Sequence, residues 1–393
     1  MRIYNIFFLV LVFATCSTQF ASDVYAPCLP AIAIDMHTSV SLAGISMSIY
    51  MLGVAISQLI YGPLSEGIGR KMPMIIGLSI MTIGSIICVL ATNIETMIIG
   101  RLVQGCGAGA CACLWRAVFR DSFSGEELSK YASYLVILII FIAPAAPTVG
   151  GLLQETFGWY SNFIFMAIYS LLALLGVVFK FTETNKHIHI SKLNPKHILS
   201  QYMILLKSPI FMGAASVTFL AYGAFFSWFV AGPILLIEKL GISPSKFGIL
   251  TSLGAGLSYA IAGFLNGRLV THLGMRFMIR LGLIIMLVAG VSMGAGHYII
   301  GMSLWAIMAP IILFVFGSTF IWPNAFATAF TPFGHIAGYA GALYGFLQIG
   351  GAATLASFVA YLPSDNQLPL SLVMIIAVSA AWLIYELSTV PAS

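Results

Sequence analysis

Two ionisable residues lie inside long apolar segments, where a titratable side chain can do chemistry. Asp23 lies six residues before Leu29, which is near the end of the first apolar run. Arg101 lies six residues after Glu95, which is near the start of the fourth apolar run. A charge within a membrane span is costly and usually marks a functional site. At a helical rise of 1.5 Å per residue, both lie about 9 Å below one surface. We expect Asp23 to carry a proton and Arg101 to regulate it; a structural pair or an interfacial Asp23 are the alternatives.

Seven further side chains in the apolar segments are candidates for lining a substrate cavity, because they are aromatic or polar but uncharged. They are Tyr25, Gln58, Gln104, Trp228, Asn324, Tyr344 and Gln348. Gln104 lies about one helical turn from Arg101, so the two should face the same cavity. Each of the seven could instead be an ordinary core residue. A cavity with one carboxylate and aromatic walls suits exchange of a proton for a lipophilic cation of variable shape.

The elements that must position these residues are membrane-spanning helices. Of 393 residues, 60% are hydrophobic and 7% are charged, against about 25% charged in soluble domains. Twelve apolar runs of about 20 residues are too long and continuous for the strands of a membrane barrel. They cover 4–26, 40–61, 73–92, 97–118, 131–153, 160–181, 209–236, 247–266, 277–297, 302–322, 337–361 and 369–387. The sequence predicts an all-α polytopic membrane protein.

The distribution of basic residues predicts the orientation in the membrane. With the N-terminus inside, fourteen of the 17 Lys and Arg residues fall on inner segments. Only Lys239 and Lys246 fall outside, and Arg101 lies within a span. Since Lys and Arg accumulate on the cytoplasmic side, both termini should be cytoplasmic, in the inner membrane. The first run also resembles a signal peptide, but it continues through Val24 and eleven more runs follow, so we expect it to be retained.

The chain predicts two related halves. One long polar stretch, 182–208, separates an N-terminal half (1–181) from a C-terminal half (209–393) and reads as a solvated cytoplasmic connector. Four positions of the first half recur 205 residues later: Gly62, Leu64, Gly69 and Gly77 as Gly267, Leu269, Gly274 and Gly282. Such repeats predict a binding site at their interface, near the middle of the membrane.

The segment Gly62–Lys71, between the second and third runs, combines a glycine-rich turn with an acid and two bases. It resembles the G-x-L-[SA]-[DE]-[RK]-x-G-R-[RK] loop of major facilitator transporters. The resemblance implies a conformational switch formed by Gly62, Glu66, Gly69, Arg70 and Lys71. Gly67 stands where that family usually has its first basic residue. A generic positive-inside loop would explain the two bases but not the glycine spacing.

Three further segments resemble the Bcr/CflA-type drug:proton antiporters of that superfamily. They are Ser22–Pro30, Arg101–Ala110 with the following Arg116–Asp121, and Ala143–Gly151. The resemblance implies twelve helices in two pseudo-symmetric six-helix bundles and proton-coupled efflux of drugs by alternating access. In the third segment Pro144, Pro147, Gly150 and Gly151 can bend a helix against its neighbour, because proline removes a hydrogen bond and glycine permits close approach. A seal against proton leakage and a plain kink are both open.

Other functional classes fit less well. An exporter or importer of an endogenous metabolite, such as a siderophore, is the nearest alternative. An intramembrane enzyme is disfavoured, since H-E-x-x-H is absent from the sequence. A non-transporting receptor is disfavoured because it would not require the repeat or the embedded pair Asp23 and Arg101. The six cysteines lack the spacing of a metal site. We expect no enzymatic activity, cofactor, metal or nucleic-acid partner, and a monomer that binds protons and a small molecule in a lipid bilayer.

Overall fold

The structure is a computed structural model that describes residues 2–122, 145–185, 188 and 194–389. Within those ranges the chain is helical and contains no strand. The helices are α1 (Arg2–Asp23), α2 (Leu29–Asp35), α3 (Val40–Ile68), α4 (Lys71–Val89), α5 (Ile94–Ser122), α6 (145–157), α7 (Tyr160–Lys180), α8 (Pro195–Leu206), α9 (Pro209–Pro233), α10 (Pro244–Ile300), α11 (Leu304–Phe330), α12 (Ala337–Ala360) and α13 (Leu368–Thr389).

The described helices account for eleven of the twelve predicted spans and for part of the fifth, 131–153, of which residues 131–144 lie outside the described residues. Ten are long and apolar enough to cross a membrane. The longest, α10, is two helices joined at Gly274, whose φ of +77° lies outside the helical region, and α6 is the described part of a further span. Four helices begin at a serine whose side chain accepts a backbone N–H of the first turn, which marks their starts in the sequence. These residues are Ser39, Ser208, Ser243 and Ser303.

The two halves repeat one packing arrangement. In the first half, a Cβ at Gly77 of α4 would lie 2.7 Å from the backbone oxygen of Gly107 in α5. In the second half, a Cβ at Gly282 of α10 would lie 2.7 Å from the backbone oxygen of Gly317 in α11. Glycine is required at both positions because the backbones touch. The predicted fold of two pseudo-symmetric helical halves is therefore confirmed, while the bounds 1–181, 182–208 and 209–393 stay a prediction.

The bundle has two ends that can be told apart by contacts. The loop end holds the turn between α3 and α4, where the Lys71 ammonium donates to the backbone oxygen of Val178. The far end holds the start of α3 and the start of α7, where the Trp159 indole donates to Asp35.

The predicted connector contains a helix that the sequence analysis did not predict. Asn194 caps the first turn of α8 by accepting from the backbone N–H of Lys196, and Pro195 begins the helix. At the loop end the Tyr202 hydroxyl donates to the backbone oxygen of Leu59 in α3. The segment is thus a packed helix over these residues, because capping and one packed aromatic outweigh its polar composition.

Candidate functional site

A cavity of about 410 Å³ lies between the two halves, within the size range of sites for drug-like molecules. Its wall combines residues of α1, α3, α5 and α6 with residues of α9 to α12. The lining residues are Thr15, Cys16, Thr18, Gln19, Asp23, Gln58, Ala112, Trp115, Arg116, Pro147, Tyr222, Phe225, Phe229, Thr251, Ala255, Tyr259, Trp322, Gly345, Gln348 and Ile349. We call it the central cavity. Its position between the halves is where the repeat places a binding site.

Asp23 lines the central cavity at the point where α1 ends. Its side chain is 4% exposed, and both carboxyl oxygens have partners. The Gln19 amide donates to one at 2.6 Å, and the Ser22 hydroxyl donates to the other at 2.6 Å. Among the residues that line the described cavity, Asp23 is the only carboxylic acid. Among the described residues of the wall, Asp23 is therefore the one carboxyl group that can bind and release a proton in the cavity.

Arg101 is fully buried behind that wall. Its guanidinium lies over the rings of Tyr25 and Tyr50, with 4.5 and 4.2 Å to the ring centroids. It donates to the backbone oxygen of Ala21 at 2.9 Å and to Gln104 at 2.6 Å. The other two guanidinium nitrogens, Nε and Nη2, have no hydrogen-bond partner. In this conformation the Arg101 cation is stabilised by two aromatic faces and a backbone carbonyl dipole, and not by an ion pair with Asp23.

Arg70 holds the loop between α3 and α4 together. It donates to Glu66 at 2.7 Å, to Asp121 at 2.9 Å and to the Ser65 hydroxyl at 2.6 Å. Burial lowers the pKa of the Arg70 guanidinium, but Glu66 and Asp121 outweigh burial and raise it above its ordinary value. The cluster joins the ends of α3 and α5 through charge-assisted hydrogen bonds.

Glu183, just after α7, fixes the start of α4. Its carboxylate accepts from the backbone N–H of Arg70 at 2.8 Å and of Lys71 at 3.0 Å. Burial raises the pKa of Glu183, but four backbone N–H donors together lower it below its ordinary value. Gly69 has a φ of +92°, and a Cβ there would lie 2.7 Å from the Glu183 carboxyl carbon. Both facts require glycine at position 69.

The halves meet closely at the far end of the central cavity. The Thr148 hydroxyl of α6 donates to the Ser252 hydroxyl of α10 at 2.7 Å. A Cβ at Gly151 would lie 2.7 Å from the carbonyl carbon of Pro244, and a Cβ at Gly150 would lie 2.8 Å from that of Val24. Glycine thus lets α6 touch the backbones of both α10 and the end of α1.

At the loop end, α3 approaches α12. A Cβ at Gly62 would lie 2.7 Å from the Cβ of Ala342, and one at Gly338 would lie 3.1 Å from a carboxylate oxygen of Glu66. The acid of the loop therefore lies against the first turn of α12, where exposed backbone N–H groups favour a negative charge. The Gly62–Lys71 segment contacts both halves.

The sequence profile of the Major Facilitator Superfamily matches residues 11–355. The chain belongs to the Major Facilitator Superfamily. It is 27% identical over 94% of its length to the bicyclomycin resistance protein homolog of Haemophilus influenzae, of which it covers 92%. It is 28% identical over 93% of its length to multidrug resistance protein D of Escherichia coli, of which it covers 91%.

A solved structure shows the same fold. The xylose transporter XylE of E. coli, in a partially occluded inward-open conformation, superposes with a TM-score of 0.73 at 15% identity, over 100% of this chain and 98% of that one. The resemblance to the Bcr/CflA-type members of the superfamily, drawn from short motifs, is confirmed by the two relatives. The chain is a multi-pass membrane protein of this superfamily.

Two of the seven predicted substrate residues, Gln58 and Gln348, line the central cavity of this superfamily member. Tyr25 and Gln104 belong instead to the packing around Arg101. The Tyr25 hydroxyl hydrogen-bonds the Ser46 hydroxyl at 2.6 Å, and the Gln104 amide donates to Ser85 at 2.8 Å. The pair Arg101 and Gln104 is in contact, as its spacing predicts, but it faces the interior of the first half.

The other three predicted substrate residues lie within the second half. Trp228 is buried, Asn324 donates to Asn266 at 2.7 Å, and the Tyr344 hydroxyl hydrogen-bonds that of Thr218 at 2.6 Å. None of the three lines the described central cavity. Their contact with substrate stays a prediction.

The predicted switch residues are divided between the two ends. Gly62, Glu66, Gly69, Arg70 and Lys71 lie in the loop-end contacts given above. Pro147 lines the central cavity, while Gly150 and Gly151 lie in the far-end contact. Pro144 lies outside the described residues. Their role in switching stays a prediction.

Sequence reasoning expected an aromatic wall but missed the residues that form it in the central cavity. Trp322 of α11 contacts the rings of Tyr222, Phe225 and Tyr259, with centroid distances of 5.5, 5.6 and 5.9 Å. These residues come from three helices of the second half. Nothing distinguishes them in the sequence from the 13% of residues that are aromatic. Only their three-dimensional convergence identifies them as a site.

Arg116 was also missed as a site residue, because the sequence analysis counted it with the basic inner segments. It lies within α5, and its guanidinium stacks over Trp115 at 4.5 Å and over Phe326 of α11 at 5.1 Å. It lines the central cavity and also a second cavity of about 170 Å³, which Glu66 and Arg70 line toward the loop end. A cation therefore separates the two cavities.

Proposed function

We propose that this chain is a proton-coupled efflux antiporter for structurally varied small amphiphiles. The observation that carries the proposal is the place of Asp23, a nearly buried carboxyl in the wall of a drug-sized cavity between two repeated halves. Two relatives that span almost the whole chain are named for multidrug and bicyclomycin resistance. An aromatic wall accepts varied shapes, because flat apolar faces do not demand a fixed pattern of polar groups.

Coupling rests on competition for one carboxylate. A proton on Asp23 removes the negative charge that a cationic group in the cavity would use, and a bound cation disfavours protonation. Linkage requires each ligand to weaken the binding of the other by the same factor. Gln19 and Ser22 hold the carboxyl toward the cavity by one hydrogen bond to each oxygen. In this scheme Arg101 adjusts the charge balance of Asp23 from behind the wall.

Alternating access follows from the two sets of contacts between halves. For the far end to open, α6 must leave α10, which breaks the hydrogen bond from Thr148 to Ser252. For the two halves to rearrange at the loop end, the contact between Glu66 and the start of α12 must rearrange. Arg70 keeps Glu66 and Asp121 in place during this step. The loop Gly62–Lys71 is thus the switch. Gly150 and Gly151, which lie in the far-end contact, form its seal.

The remaining parts of the proposal concern placement. The excess of Lys and Arg on one side supports cytoplasmic termini in the inner membrane. The division into 1–181, 182–208 and 209–393 follows the polar stretch in the sequence. The cavity is formed within one chain, which supports a monomeric transporter, and no chemical conversion of the substrate is required for transport.

Transport into inverted membrane vesicles tests the proposal. With an imposed proton gradient, wild-type protein should concentrate a fluorescent lipophilic cation, and Asp23→Asn should not, although it should still pass the dye down its gradient. Asp35→Asn is the matched control, because Asp35 is an exposed acid of the far end that does not line the central cavity. Normal uphill transport by Asp23→Asn would contradict the proposal.

A further inference from the structure

Arg116 is a cation in the central cavity that pairs with no acid among the described residues. It makes no hydrogen bond or ion pair with any described residue; its partners are the faces of Trp115 and Phe326. Arginine that lines a cavity and lacks a carboxylate presents five N–H donors to whatever enters. Arg70, which lines the second cavity with Arg116, has two carboxylates. The difference marks Arg116 as a group whose partner comes from outside the chain.

Two further donors in the same wall have no hydrogen-bond partner among the described residues. The Gln58 side chain is 2% exposed, and its amide N–H group makes no hydrogen bond in the described structure. The indole N–H of Trp322 also has none. Both residues line the central cavity with Arg116. Buried donors without partners are costly and become satisfied when a ligand supplies acceptors.

Arg116 lies toward the loop end, away from Asp23. Trp322 and Gln58 are each one helical turn from Phe326 and Gly62, which line the second cavity with Arg116. The Thr18 hydroxyl of α1 donates to the backbone oxygen of Ala108 in α5, which fixes the relative level of the two helices. From that level Asp23 is five residues toward the far end, and Arg116 is eight residues toward the loop end. At 1.5 Å per residue their backbones are about 20 Å apart along the axis. The cavity therefore has an acidic end and a basic end.

We infer that the loop-ward part of the central cavity is a subsite for an anionic group of the substrate, with a carboxylate as its best match. Arg116 supplies the positive charge, and Gln58 and Trp322 supply further hydrogen-bond donors. Trp115 and Phe326 stack on the guanidinium and fix the orientation of its plane. A planar guanidinium matches the two oxygens of a carboxylate. The substrate class is thus extended from lipophilic cations to aromatic amphiphiles that carry an acid. This inference deepens the proposed efflux function and rests on it for its biological use.

Equilibrium binding of a matched pair of dyes tests the subsite. The pair is a cationic rhodamine ethyl ester and the rhodamine acid formed by its hydrolysis, which share one aromatic body and differ in a carboxylate. Binding is measured by fluorescence polarisation with full-length protein in a non-ionic detergent without phospholipid, so that no lipid phosphate can occupy Arg116. Wild-type protein should bind the acid about tenfold more tightly than the ester, the size expected for hydrogen bonds to a charged group.

Three variants separate an anion subsite from a structural role of Arg116. Arg116→Gln should remove the preference for the acid and leave ester binding within about twofold, and Arg116→Lys should keep part of the preference because it keeps the charge. Arg268→Gln is the matched control: this arginine also stacks on a phenylalanine, Phe264, at 4.5 Å, but it is exposed and does not line the cavity. It should bind like wild type.

Other results would overturn the inference. Equal loss of both dyes in Arg116→Gln would show a role in closing or folding the cavity, and no change for either dye would show that the substrate does not meet Arg116. Equal binding of both dyes by wild type would exclude the subsite directly. Because binding needs no proton gradient, failure of uphill transport would count against the proposed antiport and not against this subsite.

Discussion

The energetic contribution of the contact between Gly69 and Glu183 can be measured by comparing Gly69 with its repeat partner, Gly274. Both glycines have positive φ, +92° and +77°. A Cβ at Gly69 would collide with the Glu183 carboxylate, whereas a Cβ at Gly274 would meet nothing within 4 Å. Alanine costs about 1–3 kcal/mol at either position for backbone strain. Only Gly69→Ala also displaces Glu183.

The free-energy cost of displacing Glu183 can be estimated from the hydrogen bonds that its carboxylate accepts. Its carboxylate accepts from the first two backbone N–H groups at the start of α4, at 2.8 and 3.0 Å. Loss of such a charged cap at a partly exposed helix start costs about 1–2 kcal/mol. We therefore expect Gly69→Ala to destabilise the protein by about 1–2 kcal/mol more than Gly274→Ala does.

A double-mutant cycle with Glu183→Ala is the assay. Thermal stability in detergent is followed by the fluorescence of a thiol-reactive dye or by intrinsic tryptophan emission. Gly69→Ala and Glu183→Ala should together cost less than the sum of their separate effects, by about 1–2 kcal/mol, because the cap can be lost only once. Gly274→Ala and Glu183→Ala should be additive. Additive effects for Gly69 and Glu183, or equal effects of the two glycine variants, would refute the reasoning.

Three further outcomes follow from the same contacts. The pKa of Glu183 is lowered in the folded protein, so its contribution to stability is full above the unfolded carboxyl pKa of about 4.3 and is lost as pH falls through the lower folded value. The difference in stability between wild type and Glu183→Gln should therefore close over that pH range. A difference that widens on acidification would contradict this. Thr148→Cys with Ser252→Cys should form a disulfide that blocks transport until it is reduced, since the two side chains touch; unimpaired transport by the crosslinked protein would exclude opening at the far end. Arg70→Ala should slow transport severalfold with dye affinity nearly unchanged, because Glu66 and Asp121 lose their shared partner; lost binding with normal turnover would exclude a switching role.

The sequence contained enough to predict the spans, because twenty-residue apolar runs have few alternatives. It also contained the turn at Gly69 and its repeat at Gly274, which adopt similar backbone angles. It could not supply the partners of that turn. Asp121 and Glu183 lie 51 and 113 residues from Arg70 in the chain, and only the packing of α4, α5 and α7 brings them together.

The direction of side chains was the least predictable part of the site. Spans in a bundle are apolar on every face, so the sequence does not show whether Gln104 faces the cavity or Arg101 and Ser85. Helix ends were a second difficulty. Residues 97–118 were predicted for the fourth span, but α5 continues to Ser122. Arg116 lies within both ranges and in the cavity wall, although the count of basic residues placed it with the inner segments.

Proton release on substrate binding tests the central claim, that Asp23 is the carboxyl for which substrate and proton compete. In weakly buffered detergent solution, adding a lipophilic cation to wild-type protein should release protons, with the largest release where Asp23 is protonated before binding and ionised after it. Asp23→Asn should bind the cation with little or no proton release, and Asp35→Asn should behave like wild type. Proton release of equal size from Asp23→Asn and wild type would contradict the claim.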